Sequence, residues 1–212
     1  MIVYGPSLSP FVRKVLVFAA EKGVAVDSAP GMGPDPDPDF LAASPFRKIP
    51  ALKDGDFLLS DSSAIVAYME KIKPEPNLIP DDPRSHARTV WFEEFADTIF
   101  CAAGVPIFFQ RILARRFGRE PDHAAADKAE REALPPALNY IETVIPDSGF
   151  LVEDRLTLAD IALASPFVNL LHLGIRPDPK TYPRTARFLE SMFARPSFAP
   201  LIEGETAFLR AA

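Results

Sequence analysis

Only one cysteine occurs in the 212 residues, Cys101. An internal disulfide framework is thereby excluded, and the composition suits a reducing compartment. Basic charge is not in surplus either. Lys and Arg number 23 against 29 Asp and Glu, for a net charge of −6 at pH 7. An acidic chain with scattered basic residues is a poor ligand for nucleic acid or an anionic membrane. Met1 runs directly into Ile2-Val3-Tyr4 with no basic stretch and no long apolar segment behind it, so no signal peptide is expected. The longest uncharged run, 161–175, contains Pro166 and His172 and falls short of the roughly 18 apolar residues of a spanning helix. His86, His123 and His172 are scattered without metal-ligand spacing. Asp35-Pro36-Asp37-Pro38-Asp39 mimics a calcium loop but has Phe at its sixth and twelfth positions, Phe40 and Phe46. Gly31-Met32-Gly33 lacks the third glycine of a dinucleotide fingerprint, and no phosphate loop or Gly-x-Ser-x-Gly elbow appears. The expectation is a soluble, cytoplasmic protein without metal, membrane or nucleic-acid partners.

What the chain does have is core. Its hydrophobic content is 48%, enough for one domain or two small ones. Ile2-Val3-Tyr4 reads as a strand and 11–22 as a helix, with Val12, Val15, Leu16 and Ala19 on its apolar face and Gly23 as its stop. Ser9-Pro10 stands at the helix start, serine as cap and proline as first helical residue. Val24-Ala25-Val26 predicts a second strand, and an acidic loop follows over 30–40.

The most structured message lies in 44–65. Ile49 to Leu52 is a short apolar run, Asp54-Gly55 a hairpin turn, and Phe57-Leu58-Leu59 the returning strand. Pro50 cannot donate to a sheet ladder, so it belongs at a strand start or edge and leaves the backbone of Ile49 free. Ser60 and Asp61 then offer oxygens to the first amides of a helix over about 62–71. Such a helix start suits an α-amino acid: the free amides and dipole favour a carboxylate, and Asp61 can take the ammonium.

Ser44-Pro45-Phe46-Arg47-Lys48-Ile49-Pro50-Ala51-Leu52 with Asp61-Ser62-Ser63-Ala64-Ile65 resembles the glutathione-site half of the glutathione transferase family. That resemblance implies a thioredoxin-like domain in which Pro50 is cis and Ile49 pairs its backbone with the cysteinyl part of glutathione. Lys48 would approach the glycine carboxylate, and Asp61 and Ser62 would hold the γ-glutamyl group. Ser9-Pro10-Phe11-Val12-Arg13-Lys14-Val15 resembles the active-site turn of serine-type members, tau-like and related bacterial ones. Omega-like members carry cysteine there, and its absence argues against thiol-disulfide exchange. Ser9 would donate a hydrogen bond to the glutathione thiolate, with Ser7 as the alternative because zeta-like members carry several serines and cysteines in this turn. Lowering a thiol pKa near 8.5 by two units takes about 2.7 kcal/mol. A hydrogen bond to a charged group supplies about 1.5–3 kcal/mol and a helix N-terminus about 0.3–1 kcal/mol.

Pro74, Pro76, Pro80 and Pro83 mark a linker over 76–83, dividing an α/β domain, 1–75, from an all-helical domain, 84–212. A helix over about 84–117 carries Trp91, Phe92, Phe95, Phe100, Phe108 and Phe109, chiefly as core, with an interruption at Gly104-Val105-Pro106. A second, over 122–144, requires a kink or break at Pro135-Pro136. Thr157 and Asp160 have the spacing of a capping box before an apolar helix over 158–173, matching a structural motif of the transferase C-terminal domain. Tyr182-Pro183-Arg184 onward resembles the family ending. The resemblance implies glutathione as co-substrate, an apolar electrophile held by the helical domain, detoxification chemistry and a homodimer. Two other uses of the fold are a zeta-like cis-trans isomerase and a non-catalytic binding or stress protein.

Overall fold

The structure, a computed structural model, describes residues 1–33 and 35–211. Its contacts divide the chain into two units, Met1–Ile79 with Arg195–Ala212, and Pro80–Ala194. The last stretch of chain therefore returns to the first unit.

In that unit, β1 (Ile2–Tyr4), α1 (Pro10–Lys22), β2 (Asp27–Ala29), α2 (Pro38–Ala43), β3 (Ala51–Asp54), β4 (Phe57–Ser60) and α3 (Ser62–Ile72) follow in order, and α10 (Ala199–Ala211) joins them from the C-terminus. The strands form one sheet in the order β2-β1-β3-β4, with β1 parallel to β2 and antiparallel to β3. Val3, Tyr4, Ala51 and Leu52 are its buried centre. The second strand falls three residues later than its apolar signal at 24–26. Gly23 ends α1 in the left-handed conformation and the Val24 amide turns back to the Ala19 carbonyl, so the chain reaches the sheet only at Asp27. As an edge strand, Asp-Ser-Ala can be polar. The acidic loop also contains a short helix, α2, capped by Asp37 and begun by Pro38.

Helix α1 buries more than its apolar face. Arg13, Lys14 and Lys22 are at most 1% exposed. Lys22 Nζ reaches Glu70 Oε2 at 2.7 Å and donates to the Pro74 and Pro76 carbonyls at 3.0 and 2.6 Å. Glu70 also accepts from the Leu78 amide, so the proline-rich stretch is fastened by side chains despite its linker composition. At the same end of α1, Glu21 is gripped by the Arg195 guanidinium and the Ser197 hydroxyl.

The second unit is helical: α4 (Pro83–Glu94), α5 (Cys101–Phe108), α6 (His123–Lys128), α7 (Leu134–Val144), α8 (Leu158–His172) and α9 (Pro183–Phe193). The expected interruption at Pro106 does not occur. Helix runs from Pro83 to Leu113, with wide π turns at Phe95–Phe100 and Phe109–Leu113 on either side of α5. A third π turn, Ala129–Ala133, precedes Pro135-Pro136, which stand in the first turn of α7 where missing amides cost little. By length and composition the 31-residue stretch Pro83–Leu113 could cross a membrane; within this unit it packs against α8, and Phe100 stacks on Phe167 at 4.3 Å. Phe92, Phe95, Phe100 and Phe108 are buried, as is Cys101. Trp91 is not; it is 47% exposed, its indole N–H donating to the Tyr140 hydroxyl at 2.8 Å. The capping box is present, with Asp160 accepting from the Thr157 amide and hydroxyl and from the Leu151 amide.

Candidate functional site

Strand register decides what stands together. Tyr4 pairs with Ala51, and Ala51 with Ser60, in one row across β1, β3 and β4. One residue further along each strand lie Gly5, Pro50 and Asp61. With strands about 4.8 Å apart the row spans on the order of 10 Å, the length of an extended tripeptide. Gly5 has φ +124°, and a Cβ there would come within 2.8 Å of Val12 and 2.9 Å of Ile49. Only glycine lets the start of α1 and the Ile49-Pro50 segment approach this closely.

Beyond Gly5 the chain makes a tight turn, closed by the Ser9 amide donating to the Pro6 carbonyl at 3.1 Å. Ser9 is the N-cap of α1 and its Oγ accepts from the Val12 amide at 3.5 Å, a long and weak bond. Capping uses a lone pair of the hydroxyl and leaves its proton available to donate. Ser7 sits inside the same turn, half-buried like Ser9. The turn thus presents two hydroxyls, of which only Ser9 is fastened to the helix.

The Ile49–Pro50 peptide is cis. Among the described residues the Ile49 amide and carbonyl make no backbone hydrogen bond. Lys48 is exposed, and its backbone is held on both sides by one buried hydroxyl: Ser44 Oγ accepts from the Lys48 amide at 2.8 Å and donates to its carbonyl at 2.7 Å. In the sequence Ser44 stands out only as the first residue of the motif. Its four-residue offset from Lys48 was the available signal, since short hydroxyl side chains compete for nearby backbone groups.

Asp61 has φ +81°, a region costly for a residue with a Cβ and concentrated at functional positions. It caps α3: Oδ1 accepts from the Ser63 and Ala64 amides at 2.9 and 3.2 Å, and its carbonyl accepts from Ile65. Of the four first-turn amides only that of Ser62 is left open, among the described residues, and so is the second carboxylate oxygen of Asp61. Lys14 Nζ reaches Ser63 Oγ at 3.5 Å, joining α1 to this helix start.

The acids of the neighbouring loop are largely engaged within the unit. Asp39 pairs with Lys53, and Asp37 caps α2 and accepts from the Tyr4 hydroxyl at 3.3 Å. Burial and the Asp37 charge raise the Tyr4 pKa, so that phenol stays protonated at neutral pH and is no base. Among the described residues no group of three or more His, Cys, Asp or Glu is placed to hold a metal.

The first unit, with its β2-β1-β3-β4 sheet, is a thioredoxin-like α/β fold, and one end of its sheet carries a hydroxyl turn, an open backbone segment and a half-capped helix start. The profile for "Glutathione S-transferase, N-terminal domain" matches residues 3–77, and that for "Glutathione S-transferase, C-terminal domain" matches 98–196. Glutathione S-transferase 3 of Zea mays is 33% identical over 92% of this chain and 90% of its own. A glutathione S-transferase structure from Rhodospirillum rubrum F11 superposes with a TM-score of 0.84 at 28% identity, covering 94% of this chain and 90% of that one. A theta class structure from Xanthomonas axonopodis pv. citri, with glutathione bound, gives 0.81 at 25% identity over 95% and 96%. The chain belongs to the glutathione S-transferase family, enzymes for which glutathione is the co-substrate and no metal is needed.

Proposed function

We propose that residues 1–75 bind glutathione along the Gly5–Pro50–Asp61 row and that its sulfur attacks apolar electrophiles. That row carries the reading, because the strand register sets Gly5, where the Ser9 turn begins, and Asp61, where α3 begins, on strands either side of the Ile49-Pro50 segment. The γ-glutamyl carboxylate takes the Ser62 amide and hydroxyl, and the free oxygen of Asp61 takes the ammonium. Ile49 pairs its backbone with the cysteinyl unit, and Lys48 faces the glycine carboxylate. The bound structure from Xanthomonas supports this use of the fold.

Ser9 donates its hydroxyl proton to the sulfur and favours thiolate over thiol; it is neither nucleophile nor base. The thiol proton passes to solvent, the sulfur lone pair forms the new C–S bond, and the leaving group departs with its electron pair. The helical unit, Pro80–Ala194, supplies the apolar surface for the electrophile, and a lining of Phe, Leu and Val accepts many such molecules. Family membership supports a soluble, cytoplasmic homodimer in detoxification, with neither membrane nor nucleic acid as partner.

The deciding experiment is thiolate absorbance of bound glutathione against pH, in wild type, Ser9→Ala and Ser7→Ala. Wild type is expected to ionise the thiol well below its free value, and Ser9→Ala to raise it by about 1–2 units with a 10–100-fold fall in conjugation rate. The same rise in Ser7→Ala alone moves the role to Ser7. Absence of any depression in wild type removes the enzymatic reading.

A further inference from the structure

We propose that Glu205, in the last helix, is a positioning residue for the Ser9 hydroxyl and acts through Arg13; the inference rests on the Ser9 reading above. Arg13 lies one turn into α1, and its amide donates to the Ser9 carbonyl at 2.9 Å, so the two backbones move together. Its guanidinium is fully buried and meets a carboxylate that is nearly so. Nε donates to Oε1 at 3.0 Å and Nη2 to Oε2 at 2.6 Å. Two parallel bonds between planar groups fix an angle as well as a distance.

A buried pair of this kind is a weak source of stability, because desolvating both charges offsets most of their attraction. What it supplies here is geometry. Ser9 needs it, since its own cap bond is long at 3.5 Å and holds the first turn loosely. The other end of α1 is held by the same terminal stretch, through Arg195 and Ser197 on Glu21. Helix α1 is therefore aligned at both ends by residues 195–205, and the hydroxyl at its start takes its direction from that alignment.

The test compares wild type, Glu205→Gln, the apolar pair Arg13→Met/Glu205→Leu, and Ser9→Ala. Bound-thiol ionisation, kcat and KM for glutathione are measured, with melting temperatures alongside. Both pair variants are expected to raise the thiol pKa by about half a unit, roughly a threefold loss of thiolate at a pH below it, and to lower kcat more than they raise KM. The apolar pair roughly keeps volume and leaves neither buried charge without its counter-charge, so it is expected to fold cooperatively. An unshifted pKa in that folded variant, while Ser9→Ala shifts, overturns the positioning role alone. A fall of the pKa in Glu205→Gln also overturns it, because the unbalanced Arg13 charge would then be acting by its field. If Ser9→Ala itself shifts nothing, the Ser9 reading fails and takes this inference with it.

Discussion

Asp61 does two things with one carboxylate. Its Oδ1 satisfies two amides of α3 while, among the described residues, its other oxygen stays open, and its backbone holds a positive φ. Replacing it by Ala removes a cap worth about 1 kcal/mol and also the counter-charge for an ammonium. Asp61→Ala is expected to unfold at slightly lower urea and to raise KM for glutathione about tenfold or more, where Asp61→Asn restores stability but not KM. Ser44 is the quieter case. Its hydroxyl serves both sides of Lys48, so Ser44→Ala leaves two backbone groups to find water and is expected to cost about 1–2 kcal/mol in chemical unfolding. The motif residues were legible because each performs a local task readable from type and spacing. Ser44 had a local signal of the same kind, its short offset from Lys48, whereas Arg13 and Glu205 had none, because the folded chain brings together residues 192 apart.

At the scale of elements, α8 depends on its first turn. Burial pushes the Asp160 carboxyl up to about 6 in spite of hydrogen bonds from Leu151 and Thr157 that pull it down. Its folded pKa thus lies above the ordinary carboxylate value, so the folded state holds the extra proton between about pH 4 and 6. The contribution is greatest below pH 4 and is lost as pH rises through 6. Glu21 has the opposite sign. Burial pushes it up, but the Arg195 and Ser197 bonds more than offset this and leave it lowered, so its contribution is present at neutral pH and is lost on acidification. Urea titrations from pH 3.5 to 7 are expected to separate them. The advantage of wild type over Asp160→Asn shrinks toward neutrality, and that over Glu21→Gln grows. Asp160→Ala, which strands two buried amides, is expected to cost about 2–4 kcal/mol at the acid end of that range and, like Asp160→Asn, less toward neutrality. The capping box was legible from Thr157 and Asp160 alone. The interruption expected at Pro106 was not met, since the helix runs through it with wide turns on either side, and where a kink or break was expected at Pro135-Pro136 the helix makes the wide turn Ala129–Ala133 just before α7.

For the whole molecule, the discontinuous first unit fixes an order of events during synthesis. Residues 1–79 leave the ribosome carrying Arg13 without its carboxylate and Glu21 without its guanidinium, because both partners belong to the last eighteen residues. The whole of Pro80–Ala194 must be made first. At roughly 5–20 residues per second that is a wait on the order of ten seconds. The domain that is translated first is therefore the one completed last, and a nascent chain arrested before Arg195 carries an N-terminal domain in which Arg13 and Glu21 each lack the counter-charge they meet in the folded protein.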